Sequence, residues 1–301
     1  MEWSLKFMDM NVKVIEKEWV KEKLPYRNDD AYKGSVGTLV CVCGSFGMAG
    51  AAILSIKAAL RSGIGMVRAF IPECIYPIAA SCVHEAVFTP VKENVYGTVS
   101  PGYVEKILEA AQKSEALLLG PGLGLNEDTI ELTELLLQKV PVPVLLDADG
   151  LNALSRKKHL LINHGSPLVL TPHLGEMSRI SGIHINEIQK EPLASCEALV
   201  RDSDSLVLVL KGHNTIVYDS DSNIFMNKTG NSGMAVGGSG DVLAGVIASL
   251  LAQGMDPLGA SAAGVFIHGR AGDIAAEKLS KASMLPSDII ENLPGVFKEL
   301  Q

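Results

Sequence analysis

Aromatic residues make up only 5% of this 301-residue chain and charged residues 20%, and its net charge of −8 is not relieved by any run of Lys or Arg. Those absences argue against nucleic acid or an anionic membrane as the principal partner, so any selectivity for a charged ligand has to come from local sites. No uninterrupted apolar stretch approaches the 18 or so residues of a membrane span, and the opening Met1-Glu-Trp-Ser-Leu-Lys has no apolar core of a secretory leader. The five cysteines are odd in number, and Cys41 and Cys43 stand two apart in an apolar run as buried strand residues would. Reduced thiols and a cytoplasmic location are the expectation. No two His stand at helical ligand spacing; His84, His159, His164, His184 and His268 read as structural, and a protein zinc site is not expected. Internal repeats and low-complexity segments are absent too.

What is present is a chain 47% hydrophobic, long enough for one large α/β domain or two small ones. Short apolar runs without alternation at 38–43, 66–70, 116–119, 144–147, 168–170 and 206–211 predict parallel strands covered on both faces. Segments of helical character at 49–61, 104–112, 127–138, 188–201, 242–253 and 257–278 supply the cover. A polar turn between 215–218 and 223–226 predicts an antiparallel hairpin, so the sheet is mixed. Residues 1–30 are charged, with helical character around 13–23, and are expected to pack on the edge of the body or on another subunit.

Ligands of such sheets sit outside the carboxyl ends of the strands, where Gly44-Ser-Phe-Gly47, Gly120-Pro-Gly-Leu-Gly124, Asp147-Ala-Asp149 and Thr171-Pro-His173 fall. The most informative segment is Gly237-Gly-Ser-Gly-Asp241 before the apolar run 242–251. Gly237, Gly238 and Gly240 permit positive φ and, with Ser239, present bare N–H groups at a helix start, which makes an anion seat. An acid there repels a phosphate unless it works as a base toward an attacking hydroxyl; the plainer alternative is that Asp241 caps its helix. Lys211-Gly-His-Asn-Thr215 either offers donors to phosphate and ribose or is a tight turn with a solvated lysine. His173 and Glu176 stand at the start of a helix after a strand. Asp147 and Asp149 either orient water on a magnesium ion or cap the helix from Leu151, with capping favoured for Asp149. Gly120-Pro-Gly-Leu-Gly124 lacks the G-x-G-x-x-G spacing, and neither Gly34–Gly37 nor Gly44–Gly47 ends in Gly-Lys-Ser/Thr. A dinucleotide fingerprint and a Walker A loop are therefore both missing.

In their joint order these segments resemble the ADP/ATP-dependent NAD(P)H-hydrate dehydratases of the ribokinase-like superfamily. The likeness runs through Lys33–Gly37, Gly44–Ala52, Arg61–Gly65, Gly120–Gly124, Leu146–Asn152, Leu170–Glu176, Lys211–Thr215 and Asn231–Gly245. It implies a three-layer α/β/α fold with a mostly parallel sheet and an antiparallel hairpin edge, residues 31–301 forming one catalytic domain. It implies dehydration of the S epimer of hydrated NADH or NADPH (NADHX, NADPHX), with ADP or ATP as co-substrate and Mg2+ as cofactor. The family pattern puts the adenine nucleotide on Lys211, Gly212, His213, Asn214, Thr215 and Gly240, and the hydrated dinucleotide against Ala49, Gly120, Gly122, His173 and Asp241. Asp241 is the catalytic base on that reading. The metal is held through phosphates, with Glu176 or Asp147 reaching it through water, and the assembly is a homotetramer. Tyr32, Leu174, Ser232 and Ser239 depart from the usual residues. The residues ahead of Lys33 are too few for the epimerase domain that some family members carry, so a separate epimerase is expected. A vitamin-precursor kinase of the same fold and a non-catalytic nucleotide sensor are the competing readings.

Overall fold

The computed structural model describes residues 12–301, so the sequence expectations for Met1 to Asn11, including that of no secretory leader, lie outside the described residues. In chain order the elements are β1 (Val12–Val14), α1 (Lys17–Lys23), β2 (Thr38–Val42), α2 (Ala49–Arg61), β3 (Met66–Pro72), α3 (Tyr76–Cys82), β4 (Val87–Val91), α4 (Val104–Ala111), β5 (Ala116–Leu119), α5 (Glu127–Lys139) and β6 (Val144–Leu146). They continue with α6 (Asp149–Leu154), β7 (Leu168–Leu170), α7 (Leu174–Ser181), α8 (Ile185–Lys190), α9 (Pro192–Val200), β8 (Leu206–Leu210), β9 (Ile216–Asp219), β10 (Ile224–Met226), α10 (Ser239–Ala252), α11 (Pro257–Leu279) and α12 (Pro286–Leu300).

One sheet runs in the order β1-β10-β9-β8-β7-β6-β5-β2-β3-β4. Every pairing is parallel except β8 with β9 and β9 with β10, so a single reversed strand makes the hairpin. The apolar runs do what runs without alternation should: Leu39, Cys41 and Cys43 belong to the core on one face, Val40 and Val42 to the core on the other. Helices α2, α10, α11 and α12 cover the first face, and α4 to α9 the second. Three layers result.

Three local outcomes differ from expectation. Outside the hairpin, β1 adds in parallel to β10, with Val12 opposite Ile224, and the helix anticipated at 13–23 starts only at Lys17. Its Trp19 ring lies 4.9 Å from that of Phe225, so residues 12–23 sit on the sheet's end. The helix anticipated at 188–201 is two helices, because Pro192 takes the first position of α9 and cannot donate back to the preceding turn. Strand β4 and helices α3 and α12 were not anticipated, although Ile289, Ile290, Leu293, Val296 and Leu300 recur at helical spacing along α12.

Helix α10 is buried along nearly its whole length, wedged between the sheet, α2 and α11. Two glycines permit this. A Cβ on Gly245 would collide with the carbonyl oxygen of Ser55 in α2, and one on Gly264 of α11 with Ile247. The close approach fixes where the start of α10 points, which is the rim at the strand carboxyl ends. Gly245→Val is therefore expected to destabilise the fold by about 1–3 kcal/mol through overpacking, read as a melting temperature lowered by several degrees.

Candidate active site

The rim is built by the loops after β2, β5, β6, β7 and β8 together with the start of α10. Gly238, not Asp241, is the N-cap of α10: it has φ +100°, and a Cβ there would meet Leu54 at 2.7 Å. Ser239 and Gly240 follow, and Asp241 is the third residue of the helix, so the capping role considered for it is not taken. No side chain caps this helix. Ser239 N donates to Val236 O, while the amides of Gly240 and Asp241 have no acceptor among the described residues. The space above Gly237 is open. Ser239 leaves the expected set of anion donors, since its amide is taken by Val236 O; its hydroxyl lies 3.4 Å from His268 Nε2 in the interior. His268 is buried, and burial holds its imidazole down at about 4.

Beneath Gly240 sits a buried ionic cluster that the sequence did not announce. Lys211 Nζ donates to Asp147 Oδ1 at 2.8 Å and lies 3.8 Å from Glu176 Oε2. Thr171 Oγ1 donates to the same Asp147 oxygen at 2.6 Å. The side chains of Asp147 and Glu176 are only 2% and 6% exposed and that of Lys211 19%, so Lys211 is no solvated turn lysine. A Cβ on Gly240 would stand 3.4 Å from the ammonium, so the glycine leaves Lys211 room under the turn. Burial pulls the Lys211 ammonium down, but Asp147 and Glu176 outweigh it and its pKa is raised. Burial raises Glu176, with Lys211 opposing.

Asp241 is half-buried and accepts no hydrogen bond among the described residues. Burial, then the charge of Asp147, pushes its carboxyl from 3.8 up to about 7, against the pull of Lys211. A carboxylate poised near neutrality beside two free amides is suited to take a proton from a bound hydroxyl and to leave an anion stabilised next to it. The thiol of Cys43, at the end of the first rim strand, is pushed up to about 12 by burial and by Asp241.

His173 is the N-cap of α7 in a reciprocal capping box: its Nδ1 accepts from Gly175 N at 2.9 Å, and Glu176 Oε2 accepts from His173 N at 2.8 Å. Burial, with Lys211 and Arg179, lowers its pKa, so the neutral ring carries its proton on Nε2, on a half-exposed face of the rim. Capping and donation to a ligand are compatible here. Asp149 does not cap its helix; Ala148 does, at φ +49°, and Asp149 Oδ2 accepts from Gly124 N at 2.8 Å, tying the Gly120–Gly124 loop to α6. Gly120 and Gly122 are buried. A Cβ on Gly120 would collide with the Asp147 carbonyl oxygen, and one on Gly122 would meet Ala51 at 2.8 Å and Met48 at 3.1 Å. These glycines admit the neighbouring chain and so bring Ala49, the uncapped first residue of α2, beside the loop. In the turn after β8, Thr215 Oγ1 donates to Gly212 O and accepts from Gly212 N, so that hydroxyl is spent internally; Gly212, His213 and Asn214 are exposed. Thr171 stood within a legible motif, yet only the register of β7 against β6 shows that it meets Asp147. No group of three or more His, Cys, Asp or Glu that would cage a metal occurs among the described residues. A groove of about 1580 Å3 lined by Tyr26, Arg27, Tyr32, Gly63, Gln253 and Phe297 lies by the carboxyl ends of α2 and α10, and none of the rim residues lines it.

An α/β/α sheet with one reversed strand, a glycine turn opening a buried helix and an acid in that helix's first turn define an enzyme of the ribokinase-like class. Residues 39–295 match the NAD(P)H-hydrate dehydratase family model, and the chain belongs to that family. It is 30% identical over 292 residues to the ADP-dependent (S)-NAD(P)H-hydrate dehydratase of Bacillus subtilis, covering 97% of this chain and 100% of that one. It is 38% identical over 291 residues to the bifunctional NAD(P)H-hydrate repair enzyme Nnr of Moorella thermoacetica, covering 97% of this chain. The chain spans 55% of that relative, about half the length of the bifunctional relatives it matches. Among solved structures, the ADP/ATP-dependent NAD(P)H-hydrate dehydratase of Bacillus subtilis co-crystallized with ATP/Mg2+ matches with a TM-score of 0.82 at 29% identity, over 97% of this chain and 100% of that one.

The cluster itself is testable. Lys211→Met leaves Asp147 and Glu176 buried without their cation, at a cost of about 3–5 kcal/mol. Thermal melts are expected to fall by about ten degrees near pH 8, and by less in acid, where protonation of Glu176, already raised by burial, relieves part of the unpaired charge.

Proposed function

We propose that the chain dehydrates the S epimer of hydrated NADH or NADPH at the expense of ADP or ATP, with Asp241 as the base. The observation that carries the reading is the Asp241 carboxyl, raised to about 7 and set beside the free amides of Gly240 and Asp241 at the start of α10. Membership of the dehydratase family, and the names of its relatives, supply the substrate.

On this reading the nucleotide lies on the exposed turn Gly212–Asn214, with its terminal phosphoryl group at the Gly240 and Asp241 amides. Asp241 accepts the proton of the ring hydroxyl. The hydroxyl oxygen forms a bond to the terminal phosphorus as the bridging P–O bond breaks, and AMP or ADP departs. Positioning and electrostatics carry such a transfer, and the two amides meet the charge that develops. The ring nitrogen then pushes in its lone pair, the C–O bond breaks to release phosphate, and the neighbouring ring carbon gives up a proton to restore the dihydronicotinamide. The neutral His173, with its proton on Nε2, orients the substrate. On this reading Mg2+ would be held by the nucleotide phosphates and would supply charge neutralisation, and Glu176 or Asp147, almost wholly buried beside Lys211, would reach it only through water. The reading extends to a homo-oligomer acting in the cytoplasm beside an epimerase that interconverts the R and S hydrates.

Incubation with hydrated NADH, Mg2+ and each nucleotide in turn is expected to restore reduced-nicotinamide absorbance and release one free phosphate per nucleotide. A stable phosphate ester of an alcohol substrate, with no recovery of absorbance, would refute the dehydratase and favour a kinase. Asp241→Asn is expected to cut turnover by on the order of 10²–10⁴-fold while preserving the fold. Because the working form is the carboxylate, the wild-type rate rises with pH through about 7. Stability moves the other way: a raised carboxyl pKa stabilises the fold below the unfolded value, and that contribution is lost as pH rises through about 7. The Asn variant is thus expected to melt above wild type near pH 8, with the gap closing below pH 4.

A further inference from the structure

Next to the candidate site, on the β2 side of the rim, stands an exposed apolar cluster that the chemistry above does not use. Phe46 is 75% exposed, Tyr96 66% and Val95 93%. Their backbone is nonetheless fixed. Phe46 N donates to Gly97 O at 2.9 Å, and a Cβ on Gly97 would collide with that of Phe46. Asn94 Oδ1 accepts from the amides of Tyr96 and Thr98, and its Nδ2 donates to Thr98 Oγ1 at 2.8 Å and to Asp128 Oδ2 at 2.7 Å in the first turn of α5. Asn126 Nδ2 also donates to Thr98 Oγ1, and Glu93 and Val99 pair in an antiparallel bridge. Residues 93–99 are thus a small braced hairpin, and exposed rings on braced backbone lose little freedom on binding.

The cluster is continuous with the rim loops. A Cβ on Gly124 would stand 3.1 Å from Thr98 Cγ2 and 3.8 Å from Met48 Cε, and Ser45 Oγ donates to Gly122 O at 2.8 Å. Along the sheet the strands run β8, β7, β6, β5, β2, so the nucleotide turn after β8 and the Phe46 turn after β2 lie at opposite ends of the site. A dinucleotide whose reacting ring lies at Asp241 and that extends away from the nucleotide turn runs toward the β2 side, where Phe46 and Tyr96 stand.

We infer that Phe46 and Tyr96 seat the purine of the substrate's adenosine half and so select a dinucleotide over a mononucleotide. The inference rests on the reading that the substrate is a hydrated dinucleotide. Stacking suits the place: a purine face needs only an aromatic surface, and no charged partner is required.

The test uses the fluorescence of the reduced nicotinamide to titrate the intact protein with NADH and with reduced nicotinamide mononucleotide. Wild type is expected to bind the dinucleotide at least about tenfold more tightly, as one stacked base provides. The double variant Phe46→Ala with Tyr96→Ala is expected to erase most of that ratio, with mononucleotide affinity retained, and Phe46→Tyr to restore most of it in the Tyr96 background. A wild type without the preference, or a double variant with the ratio intact, overturns the inference. An intact ratio with a lowered mass in sedimentation would assign the cluster to contact with a second copy of the chain instead. A dehydration assay on the same proteins separates the two readings: normal turnover with an intact ratio sinks the purine seat alone, whereas a collapsed ratio without dehydration keeps the seat and sinks the reaction.

Discussion

Everything at the rim depends on one ammonium group balancing an excess of carboxylates. Lys211 Nζ touches Asp147 and approaches Glu176, both almost wholly buried, and Asp241 and Asp149 lie close enough to add to the same field. Even with the charge of Arg179 reaching Glu176, two cations against four acids are not neutral. Burial first, and the imbalance after it, raises the carboxyl of the member with the fewest partners, Asp241, toward neutrality, while Asp147 is held by Lys211 and Thr171. Burial explains why the charges act so strongly on one another, since water does not intervene between them.

The glycines divide into two kinds by what stands above them. Gly238, Gly245 and Gly264 give way to other parts of the protein, and they set the place and direction of α10. Gly120 and Gly122 do likewise for the loop after β5. Gly237 and Gly212 have nothing within 4 Å and border open space on the rim. A glycine-rich stretch in the sequence does not separate these cases, because what stands over each Cα is set by chain-distant neighbours.

Much of the fold was legible for a plain physical reason. Strands buried on both faces must be apolar throughout, so β2, β5, β7 and β8 stand out as runs, and the long helices between them show their own period. Strand β1 was not legible, since three residues carry no period and its partner β10 lies more than 200 residues away. The break between α8 and α9 was written in Pro192 but overridden in the reading by the helical character of both sides. At the site, the importance of Asp241, Lys211 and His173 was legible from their company. Their partners were not: Thr171 on Asp147, Asp149 on Gly124 and Ser239 against His268 join residues 24, 25 and 29 apart, through the register of parallel strands and the packing of helices.

The sequence by itself determined the layered α/β class, the mixed sheet, the rim on which the loops gather and the acid in the glycine turn, because each follows from local pattern or from residue chemistry. Only the tertiary structure decided that Gly238 is the cap and Asp241 is left free, that Lys211 faces inward to two carboxylates, and that Phe46 and Tyr96 share one braced surface. Those outcomes turn on distances between chain-distant groups, and such distances exist only once the strands have found their register and α10 has been seated.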